Sequence, residues 1–261
     1  MNHRILLTND DGIGTPGFRA IFEALSSVGE VTAVAPIADQ SAVGRAISVA
    51  GEVAVEDHPL GYALDGTPAD CVIAGLEALV PDADLVVSGC NKGANLGAYV
   101  LGRSGTVSAA VEAAFFDVPA IATSMYVDVG DVEFHETETE LDDYENAARA
   151  TTYLAEHALE AGVFETADYL NVNAPAAAES PADMEITRPS LVYDMDASPT
   201  DQGVRLHDRI WERMAEGDVP DPEETDRRAV VEGKVSVSPL TAPHTTERHA
   251  ALDALAETYL D

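Results

Sequence analysis

The sequence predicts an α/β fold with a mostly parallel sheet, because apolar strand-like runs alternate with helix-like segments from the start. Residues 5–7 are apolar without interruption, as expected of a parallel strand that is covered on both faces. Thr15-Pro16 has the residue types favoured at a helix start, and apolar side chains recur at helical spacing over residues 18–25. Gly29 ends that pattern before a second apolar run at 31–36, so the chain opens as strand, helix and strand.

The chain continues this alternation up to residue 175 and then changes character. The predicted elements are a hairpin around 47–55, a helix over 68–79 opened by a capping box of Thr67 and Asp70, a strand over 84–89, a glycine-rich loop over 89–97, a helix that ends at 116, a strand over 119–124, an exposed acidic loop over 128–143, a helix over 144–161 and a strand over 169–173. We therefore predict a core at 1–175. Residues 176–261 are predicted to form an extended arm that ends in a helix over 246–260.

The composition excludes several classes of partner. The formal net charge is -33, from 47 acidic against 14 basic residues, so the chain should repel nucleic acid and anionic membranes. Because the acidic residues are spread along the sequence, they predict a surface adapted to high salt. No apolar stretch approaches the roughly 20 residues that span a bilayer, and the amino terminus resembles a strand, so we expect a cytoplasmic protein. Cys71 and Cys90 lack paired spacing and are expected to be buried, reduced thiols.

An acidic corner follows the first strand, at Asp10 and Asp11. Adjacent carboxylates repel each other and are most stable beside a cation, and hard oxygen ligands favour Mg or Mn. A solvated turn remains open from this stretch alone, since Asp-Asp-Gly also favours turns. The nearby glycines form neither a dinucleotide fingerprint nor a P-loop.

A candidate anion site lies at the start of a later helix. Ser104 and Thr106 supply hydroxyls beside free backbone N–H groups, and Arg103 adds a positive charge. Ordinary helix capping is the simpler interpretation of the same residues. If the strand ends share one sheet edge, this site faces Asp10, and a cation there could join carboxylates to phosphate oxygens.

Taken together, five ordered motifs resemble those of the SurE family of metal-dependent nucleoside monophosphate phosphatases. They are Thr8-Asn9-Asp10-Asp11-Gly12, Ser41-Ala42-Val43-Gly44, Gly66-Thr67-Pro68-Ala69-Asp70-Cys71, Ser88-Gly89-Cys90-Asn91-Lys92-Gly93 and Ser104-Gly105-Thr106-Val107, with later matches at 171–175 and 232–240. The resemblance implies a Rossmann-like three-layer αβα core and a carboxy-terminal hairpin exchanged between the subunits of a homodimer or homotetramer. It also implies that the protein is a nucleotidase, that is, an acid-phosphatase-like enzyme that hydrolyses nucleoside 5'-monophosphates, and possibly 3'-monophosphates, to nucleoside and phosphate.

The same resemblance implies the site residues. One divalent ion per subunit, Mg or Mn, would be held by Asp10, Asp11, Ser41 and Asn91, and the catalytic residues would be Asp10, Asp11 and Asn91. Substrate and phosphate would be bound by Asn9, Asn91, Asn95, Ser104, Gly105 and Thr106. The sequence departs from the family at Cys90, where a branched aliphatic residue is common, and at Arg103, where an aromatic residue or histidine is expected.

Two other classes of protein also carry acidic residues after a first strand. A haloacid-dehalogenase-type phosphatase needs its carboxylates in a D-x-D spacing, whereas Asp10 and Asp11 are adjacent. A receiver-type signalling domain needs a phosphate-accepting Asp at a later strand end, but this chain has Ser88-Gly89-Cys90 there. Such a domain is also only about half as long as this chain. For a phosphatase, attack by water and attack by Asp10 through an aspartyl phosphate both remain open.

Overall fold

The computed structural model describes residues 3–127, 137–178, 180–245 and 250–258. Its centre is a nine-stranded sheet in the order β3-β4-β2-β1-β5-β6-β7-β11-β8, beside a separate ribbon of β9 and β10. The strands are β1 (His3–Thr8), β2 (Gly29–Pro36), β3 (Val55–His58), β4 (Gly61–Leu64), β5 (Leu85–Lys92), β6 (Ala120–Tyr126), β7 (Tyr169–Pro175), β8 (Met184–Ile186), β9 (Met195–Thr200), β10 (Gly203–Asp208) and β11 (Val235–Leu240). Neighbours from β4 to β7 all pair in parallel, which confirms the predicted α/β class.

Helices cover both faces of this sheet. They are α1 (Pro16–Leu25), α2 (Pro68–Ala74), α3 (Ala98–Leu101), α4 (Gly105–Phe115), α5 (Glu145–His157), α6 (Arg209–Ala215), α7 (Asp226–Val231) and α8 (Ala250–Glu257). Helices α1 and α5 pack together on one face and α2 and α4 on the other. The result is a three-layer αβα arrangement, and none of the helices in the described ranges has the length and apolarity needed to cross a bilayer.

The first strand divides its side chains between the two cores, which explains its uninterrupted apolar run. Ile5 and Leu7 join the core under α1 and α5, where Phe18 is fully buried. Leu6 points to the opposite core, which contains Val34 and Val107. Because successive side chains of a strand point to opposite faces, a strand covered on both sides needs apolar residues at every position.

Local helix signals were predicted with mixed success. The capping box is confirmed, because the Thr67 hydroxyl accepts from the Asp70 N–H at 3.1 Å and the Asp70 carboxylate accepts from the Thr67 N–H at 2.9 Å. Helix α1 does begin at Pro16, but the Thr15 hydroxyl makes no cap and instead donates to the Gly12 carbonyl at 3.0 Å. Both cysteines are buried free thiols, as predicted.

Three predicted segments differ from the structure or lie partly outside it. The hairpin predicted around 47–55 is wrong, because the antiparallel pair is β3 with β4 and residues 47–54 form no strand. The acidic loop lies largely at 128–136, outside the described residues, and the described part of the last helix is α8 within the predicted 246–260.

The chain after residue 175 separates into two parts. Strands β8 and β11 return to the central sheet, where β11 pairs antiparallel with β7 and parallel with β8. The ribbon of β9 and β10 is an antiparallel hairpin whose strands pair only with each other within the described chain. A carboxy-terminal hairpin is therefore present, while the division at residue 175 stays a prediction.

Candidate metal and phosphate site

The acidic corner lies at the carboxyl end of β1, in the middle of the sheet. Asp10 is only 3% exposed, and one of its carboxylate oxygens accepts a hydrogen bond of 2.5 Å from the Thr106 hydroxyl at the start of α4. Asp11 accepts from the backbone N–H of Lys92 at 3.0 Å, at the end of β5. The two carboxylates are thus held by different elements at one sheet edge, the place where open α/β sheets bind ligands.

Burial and repulsion disfavour the charged forms of this pair. Desolvation raises the pKa of Asp10, although the Thr106 hydroxyl and backbone oppose the rise. Desolvation, followed by the charge of Asp10, raises the pKa of Asp11 to about 7. Both effects are those expected of adjacent, buried carboxylates.

The loop after β2 approaches the same corner. The Gln40 N–H donates to the Asp10 backbone carbonyl at 2.7 Å, which fixes this loop against the end of β1. Ser41 donates through its N–H and its hydroxyl to one oxygen of Asp39, at 2.7 and 2.5 Å. The predicted ligand Ser41 therefore lies near Asp10, with its hydroxyl directed to Asp39.

A β-bulge at the end of β5 brings in Asn91. Ser88 pairs with Ala122 and Asn91 with Ser124, so one additional residue is inserted on the β5 side. Bulges of this kind bend a strand and redirect side chains, and they are common beside active sites. The Asn91 amide donates to the Gly93 carbonyl, which leaves its side-chain oxygen as a potential ligand.

Asn95 is bound into the protein by a dense set of hydrogen bonds. Its N–H donates to the Asn173 side chain at 2.7 Å, and its amide donates to the Ser124 hydroxyl at 2.9 Å. Its carbonyl accepts from Asn171 at 2.9 Å and from Asn173 at 3.2 Å. Asn95 thus anchors the glycine-rich loop to β6 and β7.

Asn9 shapes the acidic turn itself. It is fully buried, its amide donates to the Gly12 carbonyl at 3.0 Å, and its side-chain oxygen accepts from the Gly12 N–H at 3.3 Å. These bonds hold the backbone on either side of Asp10 and Asp11. The structure therefore gives Asn9 a supporting role in the turn.

The start of α4 packs directly against Asp10. The Ser104 hydroxyl caps the helix by accepting from the Val107 N–H at 3.1 Å. A Cβ atom added at Gly105 would lie 2.8 Å from the Cβ and a carboxylate oxygen of Asp10. Only glycine therefore lets the helix N-terminus, with its partial positive charge, approach the acidic corner this closely.

These elements surround one cavity of about 510 Å³. Its lining includes the predicted residues Asp10, Ser41, Asn91, Asn95 and Ser104, and Arg103 also lines it. The Arg103 guanidinium lies 5.2 Å from the centre of the Tyr99 ring. Asp11, Gly105 and Thr106 adjoin this site through Asp10 and the ends of β5 and α4.

The cavity has a second wall that sequence reasoning missed. Trp211 and Ala215 of α6, more than 100 residues from the acidic corner along the chain, line it together with Tyr126 and Val127. No local pattern marks Trp211 as a site residue. The sequence offers one indication, which is that Trp211 is the single tryptophan of the chain.

The donor chemistry fits a hard divalent cation. Asp10, Asp11, Ser41 and Asn91 offer oxygen only, which suits Mg or Mn better than zinc. Across the part of the chain that is described, no group of three or more His, Cys, Asp and Glu side chains is arranged to hold a metal. The acidic corner offers two carboxylates together with the neutral oxygens of Ser41 and Asn91.

The fold and the site define an α/β protein with two adjacent carboxylates and a helix N-terminus at one edge of its sheet. A family model described as "Survival protein SurE" matches residues 5–194. Two similar proteins, both named 5'-nucleotidase SurE, come from Haloarcula marismortui and Haloquadratum walsbyi. The first is 70% identical over 98% of this chain and 94% of its own length, and the second is 64% identical over 98% and 97%. The crystal structure of the SurE protein from Aquifex aeolicus superposes with a TM-score of 0.78 at 30% identity, over 98% of this chain and 99% of that chain.

The chain belongs to the SurE family. This assignment confirms the resemblance drawn from the five motifs. It also decides against the haloacid-dehalogenase-type phosphatase and the receiver-type signalling domain as alternatives.

Proposed function

We propose that this protein is a divalent-metal-dependent phosphomonoesterase that releases phosphate from nucleoside 5'-monophosphates, with 3'-monophosphates as a second substrate class to be tested. The observation that carries the proposal is the single cavity in which Asp10, Asn91 and Ser104 meet. Relatives that match nearly the whole chain are named 5'-nucleotidase SurE, which supports the same substrate class.

Asp10, Asp11, Ser41 and Asn91 would hold the ion, which supplies positive charge to a phosphate oxygen and lowers the pKa of a bound water. Thr106 keeps Asp10 in position through its hydroxyl. Lys92 does the same for Asp11 through its backbone N–H. The remaining residues then act on the substrate.

Ser104 and the amino terminus of α4 would orient the phosphate, because a helix start favours anions. Phosphoryl transfer has a transition state whose charge is spread over the equatorial oxygens, so positioning and electrostatic stabilisation provide most of the catalysis. Arg103, which lines the cavity, would offset the repulsion between an anionic substrate and this acidic protein.

The test is phosphate release from 5'-AMP and 3'-AMP with Mg, Mn and Co at high KCl concentration. Asp10→Asn should abolish turnover while retaining the fold. A matched control is Asp57→Asn, which makes the same chemical change at an exposed position on β3 and should leave turnover unchanged. Absence of turnover with every metal, or full activity of Asp10→Asn, contradicts the proposal.

Water and Asp10 remain alternative nucleophiles. A single in-line attack by water inverts the configuration at an isotopically chiral phosphorus, whereas two successive displacements through an aspartyl phosphate retain it. The stereochemical outcome with chiral phosphate esters therefore distinguishes the two routes.

We further propose that the enzyme acts as a homodimer or homotetramer through its carboxy-terminal hairpin. Val204 and Leu206 on β10 are 66% and 70% exposed, which is unusual for apolar residues on a self-paired ribbon and supports an interface there. Val204→Glu together with Leu206→Glu should lower the mass measured by light scattering. A cytoplasmic location and adaptation to high salt stay predictions, the latter supported by the charge of -33.

A further inference from the structure

The cavity changes chemical character between the sheet edge and α6. At the sheet edge it is lined by Asp10, Asn91 and Ser104, which come from the end of β1, the end of β5 and the start of α4. The rest of the lining is mainly apolar and aromatic, and its two rings are Tyr126 at the end of β6 and Trp211 on α6. A ligand that fits both regions has an anionic end and a flat apolar end.

Trp211 is held in place by its neighbours on α6. Ile210 and Met214 are 1% and 4% exposed and pack in a cluster with Ala94 and Leu96 of the glycine-rich loop. Trp211 packs against the same cluster and still lines the open cavity. The ring is therefore packed against this cluster and also borders the cavity.

A second contact fixes the start of α6. One carboxylate oxygen of Asp208 caps the helix by accepting from the Ile210 N–H at 3.2 Å. The other accepts from the Tyr99 hydroxyl at 2.5 Å, and the Tyr99 ring also supports the Arg103 guanidinium. The wall that carries Trp211 is thus tied to the residues beside the phosphate site.

We propose that the Trp211 ring stacks on the nucleobase of the substrate and so makes the enzyme select nucleotides over other phosphate esters. This inference rests on the proposed function and names its base-recognising residue. A cavity of about 510 Å³ lies within the usual range for small-molecule sites. Trp211 also lies beyond residue 194, where the family match ends, so the match itself assigns it no role.

Stacking on Trp211 predicts a specific kinetic pattern. Loss of an aromatic partner weakens base binding by about tenfold or more. A contact that is equally strong in the bound substrate and in the transition state affects KM and leaves kcat unchanged. Trp211→Leu should therefore raise the KM for AMP by about tenfold, leave kcat nearly constant, and not affect hydrolysis of ribose 5-phosphate, which has no base. Trp211→Phe should recover most of the affinity for AMP. The control Tyr153→Leu removes an exposed ring on α5 and should alter the hydrolysis of neither AMP nor ribose 5-phosphate.

A binding measurement tests the same point without turnover. Trp211 is the chain's single tryptophan, so intrinsic tryptophan fluorescence reports on this ring alone. With the metal removed by a chelator, AMP and adenosine should quench the emission, whereas ribose 5-phosphate and inorganic phosphate should not.

Two results would overturn the proposal. One is an equal effect of Trp211→Leu on AMP and on ribose 5-phosphate, or no effect on either. The other is equal quenching by AMP and by inorganic phosphate. If the wild-type protein hydrolyses no phosphate ester, the proposed function fails, and the fluorescence titration still decides whether the ring contacts a base.

Discussion

Replacing Arg227 with methionine should destabilise the protein strongly, because this arginine is buried with a buried partner. Arg227 is 1% exposed, and its guanidinium lies 3.1 Å from the Asp221 carboxylate, which is fully buried. The same side chain donates to the Ser190 hydroxyl and twice to the Val192 carbonyl, each at 3.1 Å. Breaking a buried ion pair by removing one partner costs about 3–5 kcal/mol.

A separate count from the hydrogen bonds gives a similar magnitude. Arg227 makes four side-chain hydrogen bonds, one of them to a carboxylate. Four bonds at about 1 kcal/mol each, with a larger contribution from the charged one, again give about 4–6 kcal/mol. That is a large part of a typical total stability of about 5–15 kcal/mol.

The assay is urea unfolding followed by circular dichroism at one fixed KCl concentration. With a slope of about 3 kcal/mol per molar urea, Arg227→Met should lower the midpoint by about 1–2 M. The double variant Arg227→Met, Asp221→Leu should recover part of this loss, because the Asp221 charge is then no longer buried without a partner. The other nearby carboxylate, Asp226, is also buried and keeps its three hydrogen bonds from backbone N–H groups. The control Arg213→Met removes an arginine that pairs with Asp218 at the surface and should cost about 1 kcal/mol or less.

The reasoning is refuted if Arg227→Met unfolds at the wild-type midpoint, or if the double variant is less stable than the single one. Salt provides a second check. The loss at Arg227 should be nearly independent of KCl concentration, since a buried pair is poorly screened, whereas any effect at Arg213 should fade as salt is added.

Three further predictions concern the capping box, the helix start and the ion. Burial alone would raise the pKa of Asp70, but hydrogen bonds from Ser48 and Thr67 outweigh this effect, and the pKa is lowered. The ionised carboxylate therefore stabilises the fold above about pH 4, and this contribution disappears as the pH falls. Asp70→Asn should therefore cost about 0.5–2 kcal/mol near neutral pH and progressively less in acid, as measured by thermal unfolding across a pH series. Gly105→Ala should reduce phosphate release at least tenfold with little loss of fold, because its Cβ would displace Asp10. Mn added at 100 times its Kd should stabilise the wild type by about 2.7 kcal/mol in a thermal shift assay, and Asp10→Asn should remove this effect.

Each of these has an outcome that contradicts it. At pH 2, about two units below the ordinary pKa of an aspartate, the Asp70 carboxylate should be protonated. If Asp70→Asn still lowers the stability by the same amount at that pH, the ionised carboxylate is not the source of the effect. The control for Gly105 is Gly102→Ala, where an added Cβ meets nothing within 4 Å, and equal losses in the two variants would disprove the clash with Asp10. A Mn-induced shift that survives in Asp10→Asn would place the ion elsewhere.

The sequence predicted best those features that depend on neighbouring residues. Strand β1 and the Thr67–Asp70 capping box were correct because apolar runs and caps are local properties. The hairpin was misplaced because alternation around 47–55 also suits an irregular segment, whereas β4 is selected by its parallel pairing with β2. Tertiary pairing thus overrode the local pattern.

The site shows the same division. Asp10, Asn91 and Ser104 could be expected to meet, since the carboxyl ends of parallel strands share an edge. Trp211 could not, because its position depends on buried contacts of Ile210 and Met214 with a loop that precedes them by more than 100 residues. Patterns within one segment carry no information about such contacts.

The placement of α6 has an evolutionary consequence. The polar groups that would handle the phosphate lie within the first 106 residues, while the wall opposite them is a seven-residue helix near the other end of the chain. Substitutions in this short helix could therefore alter which phosphate ester is accepted without disturbing the groups that perform the reaction. Duplicated genes for proteins of this architecture would have a direct route to new substrates, through changes confined to residues 209–215.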